Sequence, residues 1–390
     1  MFAPGLRDRA VAHTVPVYTS RLPDAVRADW PVTVEDWTTD EGGPVWVAAD
    51  ESGTTGEDLL GDQPVIAHAT VRIDDQSASE VLSDLRARAK STQAEEIKFM
   101  HFRRGRAAQA LADTLAPSGP LAGRVNIVVA YKPYVAVDKV IDLLVEVWAH
   151  EQGIDLYQGR QARTMARTLF KDGSRALGEV WTSLLDAFVR MARPGPEGRT
   201  AEVGAALFTQ VEAAQRRCHR RSLKPILSML SRSASHAEHL VAAVDDQREP
   251  LRASLDPHVA LLPDSLRYWY REFGKPYRLL HDEHVVLTPR LVQQTMAGLA
   301  RPFPGLPRGG KAALALFGTG SSHAHPSIQL ADLAAGAGRL VTSDFLNNTP
   351  TAPDPLTDAV TPLITWGLLP DDSFWERGQY FPNLRATPRL

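Results

Sequence analysis

Cysteine is almost missing: Cys218 is the only one in 390 residues. A disulfide framework within the chain is excluded, and so is a zinc site built from several thiolates. No apolar run approaches the roughly 20 residues of a membrane-spanning helix, so no membrane partner is expected. The opening MFAPGLRDRAVAHTVP lacks the charged-then-apolar order of a secretory signal, and a cytoplasmic location is the expectation. The net charge of −3 excludes a basic field over the whole molecule, so any nucleic-acid signal has to be regional. There is no internal repeat, and no Gly-Lys-Ser/Thr follows any glycine-rich loop as a P-loop requires. What remains is an ordinary globular composition, 44% hydrophobic and 23% charged, long enough for one elaborated domain or two modest ones.

The chain is organised around PVWVAADESG, residues 44–53. Its apolar run Val45–Ala49 stops at Asp50 and Glu51, and the polar Ser52-Gly53-Thr54-Thr55-Gly56 follows. That pattern predicts a buried strand with carboxylates at its end, where ligands of α/β sheets settle. Val65–Ile73 predicts a hairpin partner. Ser77, with Glu80 three residues on, reads as a capping box that opens a helix. A helix over 104–115, a strand over Val125–Tyr131 and an amphipathic helix over Val137–Glu151 come next.

From 155 to 245 helical periodicity takes over, with fourteen Lys/Arg against nine Asp/Glu, a local surplus of positive charge in an acidic chain. Strand character returns at Tyr277–Leu287. A helix from Pro289, a Pro/Gly-rich loop over Arg301–Gly310, a strand over Ala312–Phe317 and a helix over Ser327–Leu340 complete the pattern. The expected organisation is an N-terminal arm (1–43), an α/β core in two parts (44–154 and 251–345), and a mostly helical basic insertion between them (155–250). A C-terminal tail (346–390) is expected to wrap the core.

Carboxylates recur at chosen places in this order. Asp50 ends the first strand, Glu96 precedes a helix with Lys98 two residues on, Asp282 and Glu283 lie within a later strand, and Asp332 lies on the last helix with Gln329 on the same face. Asp282 and Asp332 stand among apolar neighbours, where an ionised acid is costly unless paired. A pair of divalent cations needs such oxygens, activates a water and stabilises the leaving oxygen of a phosphodiester displacement. Hard oxygen ligands without cysteine favour Mg²⁺ or Mn²⁺ over zinc.

DESGT after a strand, EIKF, an Asp-Glu pair in a later strand and SIQLADL near the end together resemble the bacterial family called domain of unknown function 3800. The resemblance covers residues 44–102 and 277–340 and leaves out the basic insertion. It implies a ribonuclease H-like mixed sheet flanked by helices, with the first acid on the first strand and the last on a late helix. Carried over, Asp50, Glu96, Asp282 and Asp332 become metal ligands and catalytic residues of a two-metal nuclease, in the setting of phage defence or mobile elements. It is the resemblance that prefers Glu96 to Glu95.

Each residue has a plainer reading beside this one. Asp50 is equally suited to capping the turn that follows, and Glu96 to a solvated first helical turn. Lys98 either holds a phosphate oxygen or pairs with Glu96. His325 is a candidate proton carrier, whereas His284 reads more simply as a surface histidine. The zinc reading suggested by His281, His284, His323 and His325 is set aside.

Two basic stripes, Arg160/Arg163/Arg167/Lys171 and Arg216/Arg217/Arg220/Arg221/Lys224, suit phosphate, and solvated faces or subunit contacts are the alternative. The leading expectation is a metal-dependent nuclease acting on DNA or RNA. Its rival is a non-catalytic module that binds nucleic acid, a defence-system protein or a second copy of itself. An actin-like phosphate loop fits least, because Asp50-Glu51-Ser52-Gly53-Thr54 is one residue too long.

Overall fold

The computed structural model describes residues 46–89, 96–156, 160–195, 200–245, 255–284, 286–287, 291–292, 295 and 314–370. The arm over 1–43, the loop Arg301–Gly310, most of the helix from Pro289 and the tail beyond 370 lie outside the described residues. The described strands form one six-stranded mixed sheet in the order β5-β4-β1-β2-β3-β6, flanked by helices.

Strand β1 (Trp46–Ser52) runs three residues past its apolar stretch. Its antiparallel ladder with β2 (Val65–Val71) continues through Glu51↔His68 and Ser52↔Ala67 and pairs the backbone of the two acids. β3 (Val125–Tyr131) lies antiparallel to β2 along its whole length. On the other side of β1, β4 (Tyr277–Asp282) runs parallel from Trp46↔Arg278 to Ala49↔His281, and β5 (Leu314–Gly320) runs parallel to β4.

Two expectations change here. β4 does not reach Leu287: among the described residues its ladder with β1 ends at His281 and that with β5 at Asp282. Asp282 therefore ends its strand instead of sitting within it. The tail does more than wrap, because β6 (Ile364–Leu368) pairs parallel with β3 and takes up an otherwise free sheet edge.

One face of the sheet is covered by α1 (Asp75–Ala89), α2 (Gly105–Leu115), α11 (Pro326–Asn347) and α12 (Asp354–Val360). The long α11 crosses β1 and β2, and α1 and α12 pack against it. Ala67, Ala69 and Ile127 of the sheet meet Leu330, Ala331, Ala334 and Ala337 in one buried cluster. The small residues allow a close crossing: a Cβ on Gly338 would lie 2.7 Å from Ile127 Cγ2. α1 starts earlier than the capping box predicts. Asp74 is the cap, accepting from Ser77 N at 2.8 Å and from Ser77 Oγ at 2.9 Å, so Ser77 falls inside the first turn instead of capping it.

The opposite face carries α3 (Lys132–Val140), which follows β3 without a loop and so starts earlier than the expected 137. It continues through a π-helical stretch, Ile141–Glu146, into α4 (Val147–Glu151). Then α5 (Gln161–Leu177), α6 (Glu179–Ala192), α7 (Thr200–Arg217), α8 (Lys224–Arg232) and α9 (Ala237–Asp245) follow, with no strand between them among the described residues. This helical stretch shares its core with the sheet through α3: Val128, Tyr134 and Val137 belong to one cluster with Leu169, Phe188 and Val211. An element the sequence pattern does not announce, α10 (Pro257–Phe273), covers β2 and β3. Trp269 of α10 donates to Thr70 Oγ1 at 2.7 Å and fixes the helix on the sheet. No helix among the described residues is long and apolar enough to cross a membrane.

Candidate active site

Alternation along a strand sends neighbouring side chains to opposite faces. The parallel ladder of β1 and β4 ends at Ala49↔His281, so Asp50 and Asp282 are the next residues out and share a face. Asp50 is 5% exposed. α11, which crosses this face of β1, brings Asp332, and Asp50 feels the charges of both Asp282 and Asp332. Glu96 arrives on the segment before a short 3-10 turn, Phe99–Phe102.

Ser322, just after β5, ties the group together. Its N–H donates to Asp282 Oδ1 at 3.0 Å and its hydroxyl to Glu96 Oε1 at 2.6 Å, while Gln329 Nε2 donates to the Ser322 carbonyl at 2.8 Å. The four acids expected from the sequence are thus brought together from four separate segments. Glu95 lies outside the described residues.

The electrostatics of this group are under-compensated. Burial, then the charges of Glu51, Asp282 and Asp332, push the Asp50 carboxyl well above its ordinary value. Burial raises Asp282 as well, against the Ser322 N–H. Asp332 is raised by burial, with Lys98 and the Phe99 N–H opposing and Glu96 and Asp282 reinforcing. One of its oxygens, Oδ2, is buried without a hydrogen-bond partner. Glu96 is the exception: burial works against its charge, but Lys98 and Ser322 outweigh burial and hold it low. Lys98 Nζ lies 2.5 Å from Glu96 Oε1, so of its two expected roles the pairing is the one seen. Three desolvated acids with one nearby ammonium form a donor set of oxygens suited to a hard divalent cation.

The DESG turn is shaped by its glycine. Gly53 has φ +89, and a Cβ there would sit 2.3 Å from the Val65 carbonyl oxygen and 2.6 Å from Arg339 Cδ. Arg339, on α11, donates through Nε to Ser52 Oγ at 3.1 Å. Its guanidinium is desolvated and senses Arg103 and Asp332, which places a second cation beside the acids. Lys132, fully buried, donates to Thr55 Oγ1 at 2.7 Å and holds the end of the same loop; burial pulls its ammonium down to about 8.

On the opposite face, the other halves of the same dipeptides converge. Glu51 pairs across to His68, and His281 precedes Asp282. His258, in the first turn of α10, and His284, just past β4, complete a cluster. His68 Nε2 lies 3.1 Å from His281 Nε2, His284 Nε2 lies 3.3 Å from Glu51 Oε1, and His258 Nδ1 lies 3.7 Å from Glu51 Oε2. His284 is therefore no surface histidine: the end of β4 lets the chain turn, and its ring packs 4.8 Å from that of His258. Burial depresses the imidazoles of His68 and His258 well below their ordinary range and takes His281 to about 4. Glu51 is pushed up to about 8 by burial and then by Asp282 and Asp256.

His325 faces α1. Its Nδ1 lies 2.7 Å from Asp75 Oδ2, and Asp75 Oδ1 accepts from Ser327 N at 3.0 Å and from Ser327 Oγ at 2.5 Å. These contacts give it the work of fastening the start of α11 to α1. Nearer the acids is His323, whose charge bears on Glu96.

The basic stripes divide. Arg160 and Arg163 line a cavity with Asp138, Asp142 and Glu146, and Arg167 hydrogen-bonds Tyr134. The charge of Arg163 bears on Asp138, and Arg160, Arg163 and Lys171 are exposed. In the second stripe Arg216, Arg217, Arg220, Arg221 and Lys224 are all exposed around the α7–α8 turn. Among the described residues two ion pairs are formed there, Arg216 with Glu212 at 3.5 Å and Arg220 with Asp172 at 3.9 Å. That corner presents five exposed cations, against three in the first stripe.

Comparison with protein-family models, with curated proteins and with solved structures gives no match.

Proposed function

We propose that this chain is a divalent-metal-dependent nuclease on a ribonuclease H-like scaffold, hydrolysing phosphodiester bonds of DNA or RNA. One observation carries the reading: Asp50, Glu96, Asp282 and Asp332 come together from four segments, and three of them are raised, each by desolvation first, with repulsion from neighbouring acids adding to it. The first acid on the first strand and the last on a late helix support the scaffold assignment, and with it a role in phage defence or mobile-element biology. Asp50, Glu96, Asp282 and Asp332 are the residues to hold Mg²⁺ or Mn²⁺, and the buried, unpartnered Asp332 Oδ2 fits such a partner.

Bound there, a pair of hard cations supplies an activated water and stabilisation of the leaving oxygen. The chain's own groups do the rest. Ser322 orients Asp282 and Glu96 through its N–H and hydroxyl, and Gln329 holds the Ser322 carbonyl in place. Arg339 flanks the acids as a phosphate-holding cation while Lys98 stays paired with Glu96, and the α7–α8 corner grips more distant phosphates.

A second reading, a binding module without catalysis, is favoured by the Lys98–Glu96 pair, which already compensates one acid internally. Incubating wild type, Asp50→Asn and Asp332→Asn with single- and double-stranded DNA and RNA, with Mg²⁺ or Mn²⁺, separates the two. The nuclease reading expects cation-dependent cleavage of at least one substrate and a loss of about 10²-fold or more in each variant. Equal inertness of all three proteins on every substrate would favour the binding module.

A further inference from the structure

The histidine cluster on the α10 face has no part in the proposed hydrolysis, and it is built unlike an ordinary buried polar patch. His258 is fully buried with neither ring nitrogen hydrogen-bonded, and Glu51 Oε2 beside it is also buried without a partner. Leaving a buried imidazole and a carboxylate oxygen unsatisfied forfeits their hydration with nothing in return. The ring of His281 is oriented: its Nδ1 lies 2.8 Å from the Asp282 carbonyl, which only an N–H can satisfy, so Nε2 carries its lone pair inward.

That lone pair meets His68 Nε2 at 3.1 Å, and His68 is in turn held through Nδ1 by Ser265 Oγ at 2.8 Å. Two imidazole nitrogens bound to one zinc-like ion lie about 3.3 Å apart, given bond lengths of 2.0–2.1 Å in a tetrahedron. Glu51 Oε2 lies 3.7 Å from His258 Nδ1 and 3.8 Å from His281 Nε2. Those separations are too long for hydrogen bonds and near those of ligands sharing one ion. The donor atoms of His68, His258 and His281 all lie within 4.8 Å of one another, and so do those of Glu51, His258 and His284.

We infer that His68, His258 and His281 form a binding site for a single borderline transition-metal ion of the zinc class, with Glu51 and His284, grouped around the same His258, as alternative ligands beside it. Imidazole-rich donor sets select such ions, whereas the carboxylate group across the sheet suits hard ones. Ser265 and the Asp282 carbonyl orient His68 and His281, as outer hydrogen-bond partners of metal-bound imidazoles do. The two sites are back to back, joined through the dipeptides Asp50-Glu51 and His281-Asp282. The inference does not rest on the nuclease reading.

The test is zinc and cobalt retention by the full chain after dialysis, with Co²⁺ absorption and competitive Zn²⁺ titration on the stripped protein. Wild type is expected to retain about one ion per chain, with a Co²⁺ spectrum of low coordination number. His258→Gln and His281→Gln are expected to lose it, weakening affinity by roughly 100-fold or more. Ser265→Ala leaves every ligand in place and is expected to weaken it about 10-fold, which keeps the test readable should a ligand variant not fold. Asp332→Asn, across the sheet, is expected to retain the ion. A wild type that retains neither metal, retention that survives His258→Gln, or retention lost in Asp332→Asn but kept in His258→Gln would each overturn the assignment.

Discussion

A carboxyl buried beside other carboxyls leaves a mark on the pH dependence of stability. Glu51 is the clearest case, raised from its ordinary 4.5 to about 8. The folded protein then holds a proton that the unfolded chain has released, so stability is full below about pH 4.5 and falls as pH climbs through 8. In metal-free protein, the melting temperature of wild type is expected to drop relative to Glu51→Gln between pH 5 and 8. The gap at pH 8 should correspond to about 1–3 kcal/mol. Parallel curves for the two proteins would mean that Glu51 is as solvated in the fold as out of it. At this scale the acids of the site are legible in the sequence and the histidines are not. Asp50 and Asp332 lie in local patterns, a strand end and an apolar helix face. His68 and His258 are single residues in unremarkable surroundings, 190 positions apart, and only the pairing of β2 with β1 and the docking of α10 bring them together.

Helix α11 positions the site through its small residues. A Cβ on Gly336 would sit 2.3 Å from Phe99 Cγ, and the backbone N–H of Phe99 is a hydrogen-bond donor to Asp332, one turn earlier on the helix. Gly336→Leu is therefore expected to push α11 away from the Phe99–Phe102 turn, destabilising the fold by about 1–3 kcal/mol. It should also weaken Mn²⁺ binding, although it removes no ligand. Unchanged Mn²⁺ affinity in a destabilised variant would separate Gly336 from the site. The small-residue run SIQLADLAAGAG announces this close crossing in the sequence. β1, β2 and β3 are likewise legible, because apolar runs of strand length are buried on both faces. α10 escapes because Pro263 interrupts its pattern, and β6 because five residues among prolines carry too little periodicity.

Over the whole molecule, the basic excess predicted for the helical stretch does not act as one surface. Arg160 and Arg163, themselves exposed, line a cavity with the acids of α3 and the π-helical stretch, and the α7–α8 corner presents five further exposed cations. If that corner grips nucleic acid, neutralising Arg217, Arg221 and Lys224 together should lower the salt slope of duplex DNA binding by roughly 2–3. An unchanged slope would assign the corner to solvent or to another partner. The charge surplus was legible from composition, but its partition depends on which arginines the α3 acids meet. The central claim, that the acids on the α11 face are an under-compensated cation site, is tested most directly by one comparison. The melting temperatures of wild type and Asp332→Asn are measured at pH 7.5, in chelator and in excess Mn²⁺. The account predicts that Asp332→Asn is the more stable in chelator, since one repelling acid is gone. It also predicts that Mn²⁺ raises wild type by several degrees, consistent with about 2.7 kcal/mol at a hundredfold excess over Kd, and leaves the variant nearly unmoved. A variant less stable than wild type in chelator, with the same response to Mn²⁺, would contradict it.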